Sequence, residues 1–360
     1  MSSIFGDTFK VATFGESHGV AIGCVIDGCP AGLALNEADF AADMARRAPG
    51  NSPYATARKE PDVVEVLSGV FNGVTTGTPI ALLVRNRDQQ PGDYDALAQV
   101  VRPGHGDFTY LAKYGIRDHH GGGRASARET AARVAAGVVA KKILTELDIP
   151  IAARVAAIGH VEIADGEDFT QNAAAIALLE DCLSTGDSIG SAVTCKISGL
   201  AAGIGAPVFD KLSADLAKAM MSIGGTCGVE FGAGFAAATR RASENNDGFA
   251  WKDGQIRKTT NNSGGIMAGI SDSAEICLRV GFKPPSSIAL PQRTAAINGE
   301  NVEIAIKGRH DPVIAPRACV VTEAMAALVL VNHIFRSFSD TMERVKTAYN
   351  KVSPNYLKKL

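Results

Sequence analysis

Three loops in the sequence combine glycine or proline with polar and charged side chains, and they offer the clearest candidates for chemistry. They are the segments Phe14–Gly19, Arg102–Asp107 and Gly121–Arg128. The first two carry His18 and His105, and an imidazole can change its protonation state near neutral pH. Both histidines are therefore candidates for proton transfer, although an ordinary solvated loop histidine would fit the same pattern.

The third loop has the chemistry of an anion site. Ser126 and Glu129 form an S-x-x-E pattern typical of a capping box, which predicts a helix over Ala127–Leu147. The glycines before Arg124 would then precede a helix N-terminus, where free N–H groups and the helix dipole favour a negative group. Arg124 and Arg128 add fork-shaped donors suited to phosphate or carboxylate. A glycine-rich turn with surface arginines is the alternative.

Two segments near the C-terminus add more charged and polar groups. Lys283–Ser287 offers a cation and two hydroxyls on a loop stiffened by proline, and Lys307–Pro312 contains Arg309 and Asp311. A salt bridge that only rigidifies the second loop is the alternative there. The candidate cations of the whole site are Arg46, Arg47, Arg58, Arg102, Arg124, Arg128, Lys283 and Arg309. Because like charges repel, such a set needs polyanionic ligands, and we expect more than one phosphate.

Several common motifs are absent from the sequence. There is no G-x-G-x-x-G after a strand, no G-x-x-x-x-G-K-[ST], no G-x-S-x-G and no H-E-x-x-H. His119 and His120 are adjacent, and neighbouring residues on a strand would point to opposite faces, which makes them a poor chelating pair. We therefore expect no metal.

Composition limits the class of protein. The 360 residues are 46% hydrophobic and carry a formal net charge of −2, so the global basic balance of a nucleic-acid binder is missing. No signal peptide is recognisable. Glu323 interrupts the longest apolar stretch, which is therefore shorter than the ~18 residues that a membrane span needs. The seven cysteines are dispersed without a C-x-x-C pair. We expect a cytoplasmic protein with no nucleic-acid or membrane partner.

Predicted helices and strands are interspersed without regular alternation, which favours an α+β fold over a doubly wound parallel sheet. The predicted helices cover about 36–47, 127–147, 172–183, 213–221 and 318–336. The predicted strands lie at about 20–27, within 63–84, and at 192–197, 229–237, 275–281 and 302–306. We expect one compact catalytic domain over residues 1–338, followed by a polar C-terminal tail over 339–360.

The motifs, taken together, resemble those of the chorismate synthase family. The family signatures correspond to Gly15–Gly19 with its following strand, to Gly121–Thr130, and to Gly308–Pro312 with Glu323 downstream. The segments Arg102–His105, Gly186–Gly190 and Lys283–Ser287 also fit. The resemblance covers nearly the whole chain in the right order.

This resemblance implies a flavin-dependent lyase with a β/α/β sandwich fold, assembled as a homotetramer. It implies a 1,4-anti-elimination of phosphate from 5-enolpyruvylshikimate 3-phosphate that gives chorismate in the shikimate pathway. The reaction has no net redox change, yet it requires reduced FMN. The reductant could be NADPH, or an external flavin reductase could supply the reduced cofactor.

The resemblance also implies roles for individual residues. His18 would lie beside the flavin, His105 at the substrate phosphate and Asp311 near flavin N5. The implied FMN contacts are Arg124, Ala125, Ser126, Gly224, Gly225, Ala268, Lys283, Pro284, Pro285, Ser286, Ser287 and Arg309, with Arg47 reaching NADPH. The implied substrate contacts are Ser17, Arg46, Arg47, Arg58, Arg102, Arg128 and Arg309.

One segment departs from the family pattern. Ala48 and Pro53 stand where family members often carry arginine. Each missing guanidinium removes a positive charge and a possible bidentate phosphate contact. Because the family's NADPH contacts include Arg47 and the position of Pro53, we expect poor use of NADPH and a preference for externally reduced FMN.

Two other functions remain open from the residues alone. A non-catalytic flavin or sugar-phosphate binding protein would share the arginine loops but would not need both histidines and Asp311. A metal-dependent hydrolase could use His105, Asp118, His119 and His120.

Overall fold

The computed structural model describes residues 3–48, 62–87, 97–306 and 311–352. Its helices are α1 (Ala41–Arg47), α2 (Asp107–Tyr114), α3 (Thr130–Thr145), α4 (Ala173–Thr185), α5 (Leu212–Met221), α6 (Ala242–Asn245), α7 (Ala315–Ser337) and α8 (Met342–Lys351). Its strands are β1 (Ile4–Phe5), β2 (Lys10–Phe14), β3 (Ala21–Asp27), β4 (Val64–Val66), β5 (Val70–Phe71), β6 (Val74–Thr75), β7 (Ile80–Arg85), β8 (Ile151–Ile158), β9 (Val161–Glu162), β10 (Ser191–Ile197), β11 (Thr226–Phe231), β12 (Phe249–Lys252), β13 (Gln255–Lys258), β14 (Ile266–Met267), β15 (Ile270–Ser271), β16 (Ile276–Phe282), β17 (Gln292–Ala295) and β18 (Asn301–Ile304).

The first large sheet has the strand order β1-β2-β3-β7-β4, and all of its neighbouring strands are antiparallel. In β3 the side chains of Ile22, Cys24 and Ile26 are fully buried. Successive side chains of a strand point to opposite faces, so these three lie on one face of the sheet. That face is the one turned to the core.

The second large sheet has the order β11-β16-β10-β8-β9 and is also antiparallel throughout. Along β16, buried residues alternate with half-buried ones, so one face again packs against the core. The register of β10 against β8 shifts between Ala192 and Val193, which marks a bulge.

Two long helices fill the space between the sheets. α3 packs on the first sheet through β2, β3 and β7, α7 packs on the second through β8 and β10, and the helices pack on each other. At their contact, a Cβ added to Gly137 would stand 2.3 Å from the Cβ of Ala324, so only glycine permits this approach. The α+β fold and the β/α/β sandwich expected from the sequence are confirmed.

The central helix α7 is apolar around almost its whole circumference. It is long and apolar enough to cross a membrane by length and composition, but 94% of the relevant window is buried inside the protein. A helix that is hydrophobic on all sides belongs either in a membrane or in a core, and here it lies in the core. Its polar Asn332 ties down the N-terminal segment, because its Oδ1 accepts hydrogen bonds from the backbone N–H groups of Thr8 and Phe9.

Most predicted elements are present, with two corrections. The predicted strand over 229–237 ends at Phe231, and residues 234–239 form a 3₁₀ helix. The predicted capping box before α3 is only half formed: Ser126 Oγ accepts from the N–H of Arg128, but Glu129 pairs with Arg133 instead of returning to the cap.

Beyond α7, residues of the predicted C-terminal tail form the exposed helix α8, which Thr341 caps. The division of the chain at residue 338 stays a prediction. Five of the seven cysteines are buried and none forms a disulfide.

Candidate active site

The loop Gly121–Arg128 holds the first candidate loop in position. Arg124 donates to the carbonyl of Gly15 at 3.1 Å and to Oγ1 of Thr13 at 2.6 Å. The hydroxyls of Ser126 and Ser17 lie 3.1 Å apart. Two loops more than a hundred residues apart in sequence therefore share one surface of the molecule.

Adjacent glycines of this loop contact the two candidate histidines. A Cβ added to Gly121 would stand 2.2 Å from the ring of His18, and one added to Gly122 would stand 2.8 Å from the ring of His105. Both glycines have positive φ, at +62° and +85°. Because side chains are excluded here by both space and backbone conformation, the glycine run lets the backbone lie directly against both imidazoles.

The second loop surrounds His105 with charge. Asp107, only 3% exposed, accepts from Nε of Arg102 at 2.7 Å, and its Oδ1 lies 3.0 Å from Nδ1 of His105. NH1 of Arg117 also lies 3.0 Å from this carboxylate. Burial alone would raise the pKa of Asp107, but the hydrogen bonds with Arg102 and His105 hold it well below its usual range.

The Lys283–Ser287 loop closes over the second loop. Nζ of Lys283 donates to the carbonyl of Gly104 and to Oγ of Ser286, which itself donates to the same carbonyl at 2.8 Å. The N–H of Lys283 donates to the carbonyl of Gly225 at 2.9 Å, and Ser188 donates to the carbonyl of Pro285 at 2.7 Å. The predicted Gly225 and Lys283 therefore lie next to the His105 loop.

A buried charge cluster supports the site from below. Asp62 is 2% exposed and pairs with Arg47 at 2.6 Å and with Arg128. Burial, helped by the positive charge of Arg317, lowers the pKa of Arg47 to about 10, so this guanidinium is still cationic at neutral pH. Arg128 also donates to Asn86 Oδ1 at 3.0 Å.

This cluster reaches in two directions. Nδ2 of Asn86 donates to the carbonyls of Glu16 and Gly19 at 3.1 and 2.8 Å and so holds the His18 loop. At the other end, Arg317 donates to the carbonyl of Arg47 at 3.0 Å and to Asp311 at 2.7 Å. A polar chain therefore connects the segment of Asp311 to the segment of His18.

Not every predicted site residue takes part in these contacts. Arg46 forms a pair with Glu323 at 2.7 Å, in a cluster that also includes Lys141, so its guanidinium does not join the loops. Ala268 is exposed in the turn between β14 and β15, and its neighbour Gly269 accepts from the N–H of Leu212. Gly224 is exposed beside Gly225. The predicted contacts Arg58 and Arg309 lie outside the described residues, as does Pro53.

The convergent loops have an excess of positive charge. Within the described ranges, neither Arg124 nor Lys283 is paired with a carboxylate, because both donate to carbonyl and hydroxyl oxygens instead. In the same ranges, no residue accepts from the N–H of Gly121 or Gly122. Cations and free amides facing one surface are suited to phosphate or carboxylate.

The structure offers no alternative metal centre in the part of the chain that it describes. His119 and His120 were assumed from the sequence to lie on a strand, but they lie in a loop. The centroids of their rings are 4.1 Å apart. The backbone N–H of His120 donates to Oδ1 of Asp118 at 2.9 Å, and Nδ1 of its ring lies 3.2 Å from the same oxygen.

The carboxylates and the amide that hold the cations were not predicted from the sequence. Asp62, Asp107 and Asn86 were not among the predicted residues, and neither were Arg117 and Arg317. A signal was available for the carboxylates, since buried arginines need counter-charges. Asp107 stands two residues from a candidate histidine, but nothing local singles out Asp62 or Asn86.

Comparison with known proteins gives a consistent result. The sequence profile of a family described as chorismate synthase matches residues 9–335. A chorismate synthase from Lachnospira eligens is 50% identical over 363 residues, which cover 97% of this chain and 99% of that protein. One from Methanosarcina mazei is 49% identical over 352 residues, covering 93% and 96%. A crystal structure of a chorismate synthase superposes with a TM-score of 0.72 at 29% identity, covering 96% of this chain and 98% of that one.

Proposed function

Because the chain belongs to the chorismate synthase family, we propose that it removes phosphate from 5-enolpyruvylshikimate 3-phosphate to give chorismate, as a carbon–oxygen lyase of the shikimate pathway. The observation that carries this proposal is the contact of His18 and His105 with the adjacent glycines Gly121 and Gly122. Two proton-transfer groups thus flank one backbone segment that is surrounded by cations.

The leaving phosphate is the substrate group that these cations suit. As the carbon–oxygen bond breaks, negative charge grows on the phosphate, and positioned donors stabilise it most where water is excluded. His105 would donate a proton to this group, with Arg102 beside it. Ser17, which is only 2% exposed, and Arg128 would complete the substrate contacts.

The described residues fit reduced FMN. Gly121 and Gly122 form a cradle, a backbone segment beside both imidazoles whose space any side chain would fill. Arg124 and Lys283 are cations without carboxylate partners in the described chain. They and Ser126 would hold the cofactor, with Gly225 and the Lys283 loop beside them. When bound, reduced FMN would supply electron density to the substrate and recover it.

Two further groups would hold or transfer protons beside the cofactor. His18 would hold a proton at the flavin, and Asp311 would move one near flavin N5. Asp311 accepts from Arg317 at 2.7 Å, a contact that orients its carboxylate. Its link to the buried Arg47 cluster gives it a rigid support.

We expect the reductant to come from outside. Arg47, the implied NADPH contact, is only 2% exposed, and its guanidinium donates to Asp62, Thr130 and the carbonyl of Ala127. Three of its five N–H donors are therefore occupied inside the protein. This supports the hypothesis of poor NADPH use and dependence on an external flavin reductase.

We also expect a homotetramer in the cytoplasm. Several large apolar side chains are exposed on one stretch of the chain, including Phe209 (91%), Phe235 (82%) and Trp251 (76%). A second copy of the chain is the partner that the family suggests for exposed apolar side chains such as these. Native mass spectrometry would test the assembly.

An anaerobic assay tests the proposed function directly. Photoreduced FMN and substrate are mixed with the protein, and chorismate and phosphate are measured together. We expect equal amounts of both products, and none with oxidised FMN alone. Phosphate release without chorismate would support a hydrolase, whereas FMN binding with no product at all would support a non-catalytic binding protein. A parallel assay with NADPH and oxidised FMN tests the reductant.

Flavin binding can be tested without turnover. Titration should show a flavin spectral change that occurs at lower FMN concentration when substrate is present. Lys283→Met should weaken this binding, while Lys142→Met, which removes a lysine paired with Asp39 on the surface of α3, should not. Equal binding by the two variants would contradict the cofactor contact.

A further inference from the structure

Nδ1 of His105 lies close to two groups, one of which requires it to donate a hydrogen bond and the other to accept one. Oδ1 of Asp107 lies 3.0 Å away and NH2 of Arg102 lies 3.1 Å away. A carboxylate only accepts hydrogen bonds and a guanidinium only donates them. The first contact therefore needs a proton on Nδ1, and the second needs a lone pair there.

The geometry favours the proton on Nδ1. An unprotonated Nδ1 would place its lone pair 3.0 Å from a lone pair of Asp107 Oδ1, whereas Nη2 of Arg102 has two N–H groups and already donates to Asp107 at 2.9 Å. Asp107 also accepts from Nε and from the backbone N–H of Arg102, so its charge is held in place. With Nδ1–H donating to Asp107, the lone pair of a neutral imidazole is on Nε2. A Cβ at Gly122 would be 2.9 Å from this Nε2, so the atom faces the glycine cradle.

Several cations lie around His105. Arg102 and Arg117 both contact Asp107, so two positive groups share one carboxylate. Lys283 adds a cation through its bond to the neighbouring Gly104, and His18 lies beyond the next glycine of the cradle. A doubly protonated His105 would add to this positive charge unless an anion stood at Nε2.

We propose that Asp107 is a positioning residue, which sets the tautomer of His105 and lets Nε2 take up a proton when a phosphate group enters the site. This inference rests on the proposed function, in which His105 meets the substrate phosphate. The proton comes from solvent as the anion binds. In the elimination, the C3–O bond would break with its electron pair on the phosphate oxygen, and Nε2 would return the proton to that group. The C6–H bond would break as well, its electron pair would enter the new diene, and the proton from C6 would pass to Asp311.

The tautomer and the linked proton can be observed by NMR with inorganic phosphate as the probe. Protein labelled at histidine is titrated with acid in the presence and absence of phosphate, and His105→Gln assigns the signal. We expect phosphate to raise the pKa of His105 by about one unit, the shift that a nearby opposite charge produces. In Asp107→Asn this rise should disappear, and the neutral ring should shift toward the Nε2–H form.

A matched control removes a carboxylate from another histidine. Asp215 lies 2.9 Å from Nε2 of His333, in a pair between α5 and α7 away from the loops. Asp215→Asn should leave the His105 titration unchanged. If Asp107→Asn shows the same tautomer and the same phosphate response as wild type, the proposal is wrong.

A second variant gives an effect of opposite sign and does not depend on the folding of Asp107→Asn. Arg117→Met removes one of the two cations that share Asp107. Without phosphate, the pKa of His105 should then rise, because the charge opposing its protonation is smaller. A fall in that pKa would overturn the charge argument.

A double-mutant cycle separates positioning from structural support. With reduced FMN, Asp107→Asn should lower kcat by about 10²-fold and leave KM within a small factor, since it acts through a general acid. In a His105→Ala background it should change kcat by less than about twofold, because the residue through which it acts is gone. Additive losses would overturn the proposal. Absence of product from wild type would refute the proposed function instead, while the NMR result would still stand.

Discussion

Gly122 offers the sharpest test of the cradle, because one methyl group added there meets His105. The variant Gly122→Ala places its Cβ 2.8 Å from Cε1 and 2.9 Å from Nε2 of that ring, and 3.3 Å from a nitrogen of Arg102. Ordinary van der Waals contact begins at 3.4 Å, so the imidazole must move by about 0.6 Å. The movement takes His105 away from the backbone segment that it shares with His18.

Two costs follow, and they can be separated. Alanine in the left-handed region costs about 1–2 kcal/mol wherever it occurs. Gly166 has a φ of +84°, nearly that of Gly122 at +85°, yet a Cβ there meets nothing within 4 Å. Gly166→Ala therefore carries the backbone strain alone. Only Gly122→Ala also displaces a reacting group, and a misplacement of about 1 Å can reduce rate 10²-fold.

The assay measures unfolding and turnover on both variants. Both should lose a similar free energy of unfolding in urea, while turnover with reduced FMN should fall about 10- to 10²-fold in Gly122→Ala and stay near wild type in Gly166→Ala. If both variants keep turnover within about twofold of wild type, a 0.6 Å shift of His105 has no effect on the reaction. The contact between the glycine run and the imidazole would then be incidental.

Three further predictions concern stability. Asp62→Asn should lower the free energy of unfolding by about 3–5 kcal/mol, since it leaves buried guanidinium groups without their counter-charge. Asp165→Asn, at an exposed pair, should leave stability nearly unchanged, and similar losses in urea unfolding would contradict the argument. Burial acts to raise the pKa of Glu323, but Arg46 and Lys141 lower it overall, so the stability it contributes is present above its usual value of 4.5 and is lost as pH falls. The difference between wild type and Glu323→Gln should therefore shrink in acid; a constant difference would refute this. Gly137→Val should cost about 1–3 kcal/mol by forcing α3 from α7, seen as a lower thermal midpoint, and an unchanged midpoint would mean that the helices can separate without loss.

Local signals predicted local structure well. Asn36 accepts from the N–H of Ala38, while Asp39 accepts from the N–H of Asn36, as the spacing of these residues predicts. The strand predicted over 229–237 was too long because Gly232 and Gly234 adopt positive φ and end it, a signal that the glycine positions already contained.

The candidate site could be predicted only in part. Its loops were recognisable from composition, and the family resemblance supplied their roles, but spacing alone could not bring Ser17 to Ser126 across 109 residues. Arg46 and Arg47 look alike in sequence, yet one faces Glu323 and the other Asp62. Neighbours on a helix point in directions about 100° apart, so which arginine joins the site depends on what packs against each face.

The central position of α7 has a consequence for how the protein is made. The helix begins at Ala315, so both sheets and α3 leave the ribosome before the element that covers their inner faces. The last strand of the second sheet, β16, ends at Phe282 and α7 ends at Ser337, so at roughly 5–20 residues per second the apolar face of that sheet waits about 3–11 s for the helix. The sandwich can therefore close only after α7 has been made. Until then the nascent chain is a natural client for chaperones, and a transcript broken before α7 yields an aggregation-prone fragment.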